Sequence, residues 1–279
     1  MKQFTLELLF HLLGVSATSG LVYTDQELHI IADDSSYLYH VDMESSLQTK
    51  TPLSDFFYGR EQIKKSIKPD FEAITENEQS FFIFASGSEE NRTTFVEVNK
   101  LTNEVVRVES LDILYGSMQS FAGLALEDFN IEGVIQDQGT WYFFNRGNGP
   151  QSSNGVFIVT GDSVIDDFRI TFHPIKLPKL NKVRSGFTDA VKVDDAIYFL
   201  AAAEATASTY ADGEILGTYL GKLDLQKLKV TESQLISSVN KFEGITLYKQ
   251  DDNSIEFILC EDPDNPDKDA GIYKLTIEK

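Results

Sequence analysis

Four carboxylates recur at one position of a short motif: Glu72 in Phe71-Glu72-Ala73-Ile74, Glu132 in Ile131-Glu132-Gly133-Val134, Asp189 in Thr188-Asp189-Ala190-Val191 and Glu243 in Phe242-Glu243-Gly244-Ile245. A fifth copy, Thr18-Ser19-Gly20-Leu21, carries the hydroxyl of Ser19 there. If the copies are equivalent in space, these five side chains converge on one axis. Carboxylates held that close repel unless a cation or shared protons neutralise them. Hard oxygen ligands suit Ca²⁺ or Mg²⁺ rather than zinc or copper. The expected cofactor is therefore Ca²⁺ or Mg²⁺, with Glu72, Glu132, Asp189 and Glu243 as ligands. The competing reading is that these acids cap backbone amides at strand starts and preserve only the geometry of a duplicated unit.

The elements that position them can be read from the spacing. Second positions of the motif lie 53, 60, 57 and 54 residues apart, and joining the last copy to the first through the termini leaves 55. A repeat that closes on itself predicts a ring, and periodic β units that cannot bury a face alone stack into propellers. Each motif strand is followed by an apolar run: Leu28–Ala32, Phe81–Ala85, Trp141–Phe144, Ile197–Ala201 and Ile255–Leu259. Such runs suit strands buried on both faces. Third strands alternate around 37–41, 94–98, 156–159, 218–223 and 272–277, and fourth strands are visible in four repeats. The fifth repeat runs out of chain, and Phe4 to Leu12 supplies its missing edge. The expectation is one all-β domain over residues 1–279, a five-bladed propeller closed by the N-terminal strand, with six blades as the alternative.

A second layer of chemistry falls at the ends of the apolar strands, which return to the same mouth. Asp34, Arg92, Arg146 and Glu204 stand there, and with Ser19 they are the candidate ligand contacts. The two arginines are rare cations in a very acidic chain, beside glycine-containing turns. Guanidinium forks near carboxylates suit an anionic ligand such as a phosphate or carboxylate, and charge balance for the acids is the alternative role. The long connections 54–69 and 111–129 are candidate lids or short helices. Tyr115, Phe121 and Tyr210 are candidate exposed aromatics for sugar stacking. Glu261 to Asp269 is acidic but lacks the spacing of an EF-hand loop.

Composition excludes several classes. The formal charge is −20, from 44 acids against 24 bases, which argues against nucleic acid and anionic membrane surfaces as partners. Cys260 is the single cysteine and lies in an apolar run, as a buried hydrophobe does. The four histidines, His11, His29, His40 and His173, are scattered and lack the usual zinc spacing. Hydrolase elbows, phosphate loops, dinucleotide fingerprints and HExxH are absent. The N-terminus superficially resembles a secretory signal, but Glu7 and His11 interrupt it, and Phe4, Leu6, Leu8 and Phe10 alternate as in a strand. A retained strand implies a cytoplasmic protein; a signal peptide would make it periplasmic. The expected partner is a small polar or anionic ligand, and the expected state a monomer.

The segments SGLVY, IADDSSYLY, DFEAI, NIEGV, NRGN, FTDAV and KFEGI resemble a family of bacterial single-domain propellers of unknown function, over nearly the whole chain. More distantly, they are similar to phytase-like esterase propellers and the gluconolactonase group. That resemblance implies a divalent ion on the axis that activates water or polarises an ester oxygen, held by Glu72, Glu132, Asp189 and Glu243, with Asp34 and Arg146 beside the substrate. The chain departs from it at Ser19, which is not acidic, and in offering no dedicated general base. The functional expectation is an acidic channel site for a divalent cation, a small polar ligand or both. A Ca/Mg-dependent hydrolase of a phosphoester, ester or lactone, and a protein-interaction propeller, are the alternatives.

Overall fold

The computed structural model describes residues 3–53, 60–205, 213–263, 265 and 269–279. Its 21 strands open with β1 (Phe4–Leu12). Blade 1 comes next as β2 (Thr18–Thr24), β3 (Glu27–Ala32), β4 (Tyr37–Asp42) and β5 (Gln48–Pro52). Blade 2 is β6 (Phe71–Glu76), β7 (Ser80–Ala85), β8 (Thr94–Asn99) and β9 (Val105–Ser110), which leads into helix α1 (Asp112–Ala122). Blade 3 is β10 (Ile131–Asp137), β11 (Thr140–Asn145), β12 (Gly155–Ser163) and β13 (Asp167–Pro174). Blade 4 carries a short edge strand β14 (Lys179–Leu180) paired to the start of β15 (Val183–Val193), then β16 (Ala196–Glu204), β17 (Ile215–Asp224) and β18 (Lys229–Ser237). Blade 5 is β19 (Lys241–Gln250), β20 (Ser254–Asp262) and β21 (Ala270–Glu278), with β1 as its outer strand. The count is five blades, not six.

Every pairing within a blade is antiparallel, and the inner strands β2, β6, β10, β15 and β19 contact one another in turn around the axis. No blade owns a core. The apolar side chains form five clusters, each between successive blades. This arrangement explains the apolar runs, because a middle strand faces a neighbour on both sides; β7 is buried along its whole length. Cys260 is buried between blades 5 and 1, as a small hydrophobe.

β1 closes the ring as the pattern predicts, pairing with β21 from Phe4↔Ile277 to Leu12↔Ala270. Its alternation is not unbroken, however. A bulge between Leu8 and Phe10 shifts the phase, so Leu8 is 44% exposed. Phe4 and Leu6 reach the core between blades 4 and 5, whereas Leu12 fills the one between blades 5 and 1. A bulge adds one residue to one strand and thereby swaps the faces of the residues beyond it.

The connection 111–129 carries α1, whose Leu114, Tyr115 and Met118 pack into the core between blades 2 and 3. Tyr115 is therefore not an exposed aromatic: it is buried, and its hydroxyl donates to Ala85 O at 2.6 Å. Gly87, at φ +71°, lies where a Cβ would strike Tyr115 and Phe129, so this close approach requires glycine. Phe121 is 60% exposed. Tyr210, most of the loop 205–214 and residues 54–59 of the other long connection lie outside the described residues.

Candidate functional site

Each inner strand carries a β-bulge in its motif, and the bulge decides where the motif side chain points. The pairing skips one residue in each blade: Ser19, Glu72, Glu132, Thr188 and Glu243. A bulged residue has no partner across the ladder, which frees its side chain to be re-aimed. The ring around the axis is therefore three carboxylates and two hydroxyls. Asp189 is not part of it, contrary to the sequence expectation. Phe187 is the counterpart of Phe71 and Phe242, so the motif in blade 4 is displaced by one residue, and such a slip changes a side chain's direction.

The two hydroxyls fasten blades together. Ser19 Oγ donates to Phe71 O of the next blade, and Thr188 Oγ1 donates to Phe242 O of its next blade at 2.7 Å. Asp189 does similar work with its carboxylate, accepting from Ala190 N at 2.7 Å and from Ile245 N at 2.8 Å. It is the backbone-capping acid that the sequence left open as an alternative. Burial pushes its carboxyl well above the ordinary range, against those two amide bonds.

The three glutamates reach a polar cavity of about 50 Å³ at the mouth. Over blades 3, 4 and 5 it is organised by Arg146, which leaves the end of β11. The guanidinium donates from Nη1 to Glu132 Oε1 at 3.0 Å and Glu243 Oε1 at 3.5 Å, and from Nη2 to Glu204 Oε2 at 2.6 Å. Three carboxylates keep Arg146 charged although burial opposes it. Its stem passes so close to Gly186 that a Cβ there would lie 2.7 Å from Arg146 Cγ. Lys241 Nζ adds a bridge to Glu243 Oε1 at 2.9 Å and one to Asp262 Oδ2 at 3.2 Å. Asn130 Nδ2 donates to Glu132 Oε1 at 2.6 Å.

Over blades 1 and 2 the cations are Lys65, Lys68 and Arg92. Lys68 Nζ pairs with Asp33 Oδ2 and with Asp70 Oδ1 at 2.8 Å, and Arg92 Nη1 pairs with Asp70 Oδ2 at 2.9 Å. Ser86 and Ser88 hydroxyls also donate to Asp70 Oδ2. Burial works against the charge of Lys68, but Asp33 and Asp70 raise its pKa above the ordinary value. Asp70 keeps its carboxyl below the usual range, because Lys68 and Arg92 outweigh its burial.

Glu72 differs from every other carboxylate of the cavity. It is 8% exposed and makes no hydrogen bond or ion pair among the described residues. Burial, then Glu132 and Asp70, push its carboxyl well above the ordinary range. Its oxygen lies with those of Asp33 and Asp70 in a cluster whose ligand atoms are all within 4.8 Å. At this cavity two further buried polar atoms have no hydrogen-bond partner among the described residues, Arg146 Nε and Asn148 Oδ1. Both residues also line an adjoining open pocket of about 510 Å³ with Arg184, Ser152 and Glu204. Unsatisfied buried polar groups are rare, and they mark places where water or a ligand completes the site.

Glu72, Glu132, Glu243, Arg92, Arg146 and Glu204 thus meet at one cavity, and Ser19 and Asp189 stay in the scaffold. Asp33, not Asp34, lines the cavity; Asp34 stands outside it, half-buried, with its carboxyl pushed up by burial. Arg92 and Arg146 serve first as charge balance. Sequence reasoning missed Lys68, Asp70, Asn130 and Lys241. A signal was available for three of them: Asp70, Asn130 and Lys241 each stand two residues before a bulged glutamate.

Many solved structures share the fold, and three illustrate it. A glutaminyl cyclase of Myxococcus xanthus superposes with a TM-score of 0.55 at 9% identity, covering 98% of this chain and 97% of that one. The Malassezia sympodialis allergen Mala s 1 gives 0.56 at 11%, covering 94% of each chain. Regucalcin of Agrobacterium tumefaciens, described as a calcium-binding protein, gives 0.52 at 10%, covering 99% and 94%. At these identities the likeness is one of fold. A search of the curated proteins finds no match to the sequence. A family model matches residues 14–277, and the chain belongs to that family of unknown function, DUF6929.

Proposed function

We propose that the mouth of the channel binds a divalent cation, Ca²⁺ or Mg²⁺, on Glu72 with Asp33 and Asp70. The observation that carries this reading is the buried, unpaired Glu72 beside two further carboxylates. All three offer the hard oxygen donors these ions prefer. Size is compatible with this: the cavity offers about 50 Å³, and a single water needs about 10–15 Å³ of such space. Lys68 already stands between Asp33 and Asp70 as a resident cation, so an incoming ion competes with it. The fold shared with a calcium-binding protein is compatible with this reading, although fold alone is a weak warrant.

Titration of the full chain with Ca²⁺ and Mg²⁺ by calorimetry, with thermal denaturation alongside, tests the proposal. An ion that binds only the folded state at ten times its Kd adds about 1.4 kcal/mol. Binding should disappear in Glu72→Gln and tighten in Lys68→Met, which removes the competitor. Millimolar ion that neither binds nor stabilises the wild type and Lys68→Met would sink the reading.

A second reading rests on the orphaned Arg146 Nε and Asn148 Oδ1. They are a donor and an acceptor at the edge of the larger pocket, as a small polar or anionic ligand requires. A cation next to such a ligand is also the arrangement of a metal-dependent hydrolase. Turnover of a phosphoester, aryl ester or lactone that needs Ca²⁺ or Mg²⁺ and is lost in Glu72→Gln would make the site catalytic; binding without turnover would leave it a receptor.

A further inference from the structure

We infer that Glu27, His29 and His40 form a second metal site, for Zn²⁺ and related transition ions, in the outer part of blade 1 away from the acidic mouth. The sequence shows these histidines as scattered, and the structure makes them neighbours. They are direct cross-strand partners in the β3–β4 register, both buried, with Nδ1 atoms 2.9 Å apart. Glu27 lies two residues before His29 on β3, hence on the same face of the sheet. Its carboxylate and the two imidazole nitrogens lie within 4.8 Å of one another.

Three features shape this cluster for a metal. His40 Nε2 is 2.9 Å from Thr51 Oγ1, and a hydrogen bond from the far nitrogen is what orients a ligating imidazole. That bond directs His40 Nδ1 at His29, whose ring packs against Phe81 with centroids 4.3 Å apart. At metal–ligand distances of about 2.0–2.2 Å, tetrahedral ligand atoms lie about 3.3 Å apart, so the imidazole pair has to open by only a few tenths of an ångström. Glu27 is half-buried and leaves a fourth position for water. Two imidazoles and a carboxylate prefer zinc-like ions to calcium. The nearby cation, Lys100, is already paired with Glu76 at 2.5 Å. No residue is shared with the mouth, so the two sites stand or fall separately.

The test uses the full chain titrated with Zn²⁺ by calorimetry and with Co²⁺ by visible absorption, which reports tetrahedral nitrogen and oxygen ligation. One equivalent should bind the wild type and Glu72→Gln alike. His29→Asn should abolish the absorption bands. Glu27→Gln, a change at a half-exposed side chain that leaves the fold in place, should weaken binding, and Thr51→Val should weaken it about 10- to 100-fold through loss of the orienting bond. A wild type that takes up neither ion, or uptake in Glu27→Gln and His29→Asn as strong as in the wild type, would overturn the inference.

Discussion

The two halves of the mouth use the same bulge position and pair their carboxylates differently. Over blades 3 to 5, Glu132, Glu204 and Glu243 surround one guanidinium, with Lys241 as a second cation. Over blades 1 and 2, Lys68 and Arg92 neutralise Asp33 and Asp70, and Glu72 is left over. Burial alone does not distinguish these glutamates, because Glu72, Glu132 and Glu243 are all nearly inaccessible. The difference is the reach of Arg146, which bridges three blades; among the described residues no cation makes an ion pair with Glu72, and Lys68 only feels its charge. A buried carboxylate with a cation is scaffold; one without is available.

Removing the central guanidinium is the harshest way to break this comparison. Arg146→Ala would leave three carboxylates buried with one fewer cation, and stripping one partner from such a network costs about 3–5 kcal/mol. Urea denaturation should show that loss or an unfolded chain. A loss under about 1 kcal/mol would mean that Arg146 is not the neutralising group.

A paired substitution separates the halves more finely. Glu132→Gln removes a charged hydrogen bond and should cost about 1.5–3 kcal/mol. Glu72→Gln breaks no hydrogen bond or ion pair found among the described residues and should leave stability unchanged or raise it in the absence of divalent ions. The same denaturation series measures both. Equal losses at the two positions would erase the distinction.

The smallest effect is on pH dependence. The folded-state pKa of Glu72 is raised above its ordinary 4.5. Its contribution is therefore fully present below that value and lost as the pH rises through the raised folded pKa. His29 acts in the opposite sense: burial, then His40 and Lys100, lower its pKa to about 3, so its contribution is present above its ordinary 6.5 and lost as the pH falls toward 3. Subtracting the Tm–pH curve of Glu72→Gln from that of the wild type cancels the histidine part. The remainder should decline as the pH climbs above the ordinary carboxylate range, and a flat difference curve would place the Glu72 pKa at its unfolded value.

Much of the architecture was legible because it rests on local pattern. The apolar runs, the motif steps and the edge supplied by Phe4 to Leu12 each report a burial pattern that a ring of blades imposes. The site was legible in part. Glu72, Glu132, Glu243 and Arg146 were readable from the repeat, but one bulge in blade 4 moved the ring position from Asp189 to Thr188. A ladder irregularity leaves no mark in composition. Which cation meets which acid depends on long side chains crossing between blades, as where Arg146 passes over Gly186, and sequence spacing does not encode that reach. The pairing of His29 with His40 was recoverable, since folding β3 onto β4 about the turn at 33–36 makes them partners. Treating the histidines as scattered ignored that hairpin.

The bulged residue in each inner strand is supernumerary to the ladder, so the ladder itself does not dictate its identity; the side chain's own partner does, in the next blade for Ser19 and Thr188 and at Arg146 for Glu132 and Glu243. Five such positions, now spelling Ser, Glu, Glu, Thr and Glu, amount to a short alphabet written around one axis. A letter with no such partner, as Glu72 is among the described residues, can change without disturbing the scaffold that displays it. Divergence among relatives of this chain is then expected at Glu72 before the other four letters, with recognition drifting while the architecture is inherited intact.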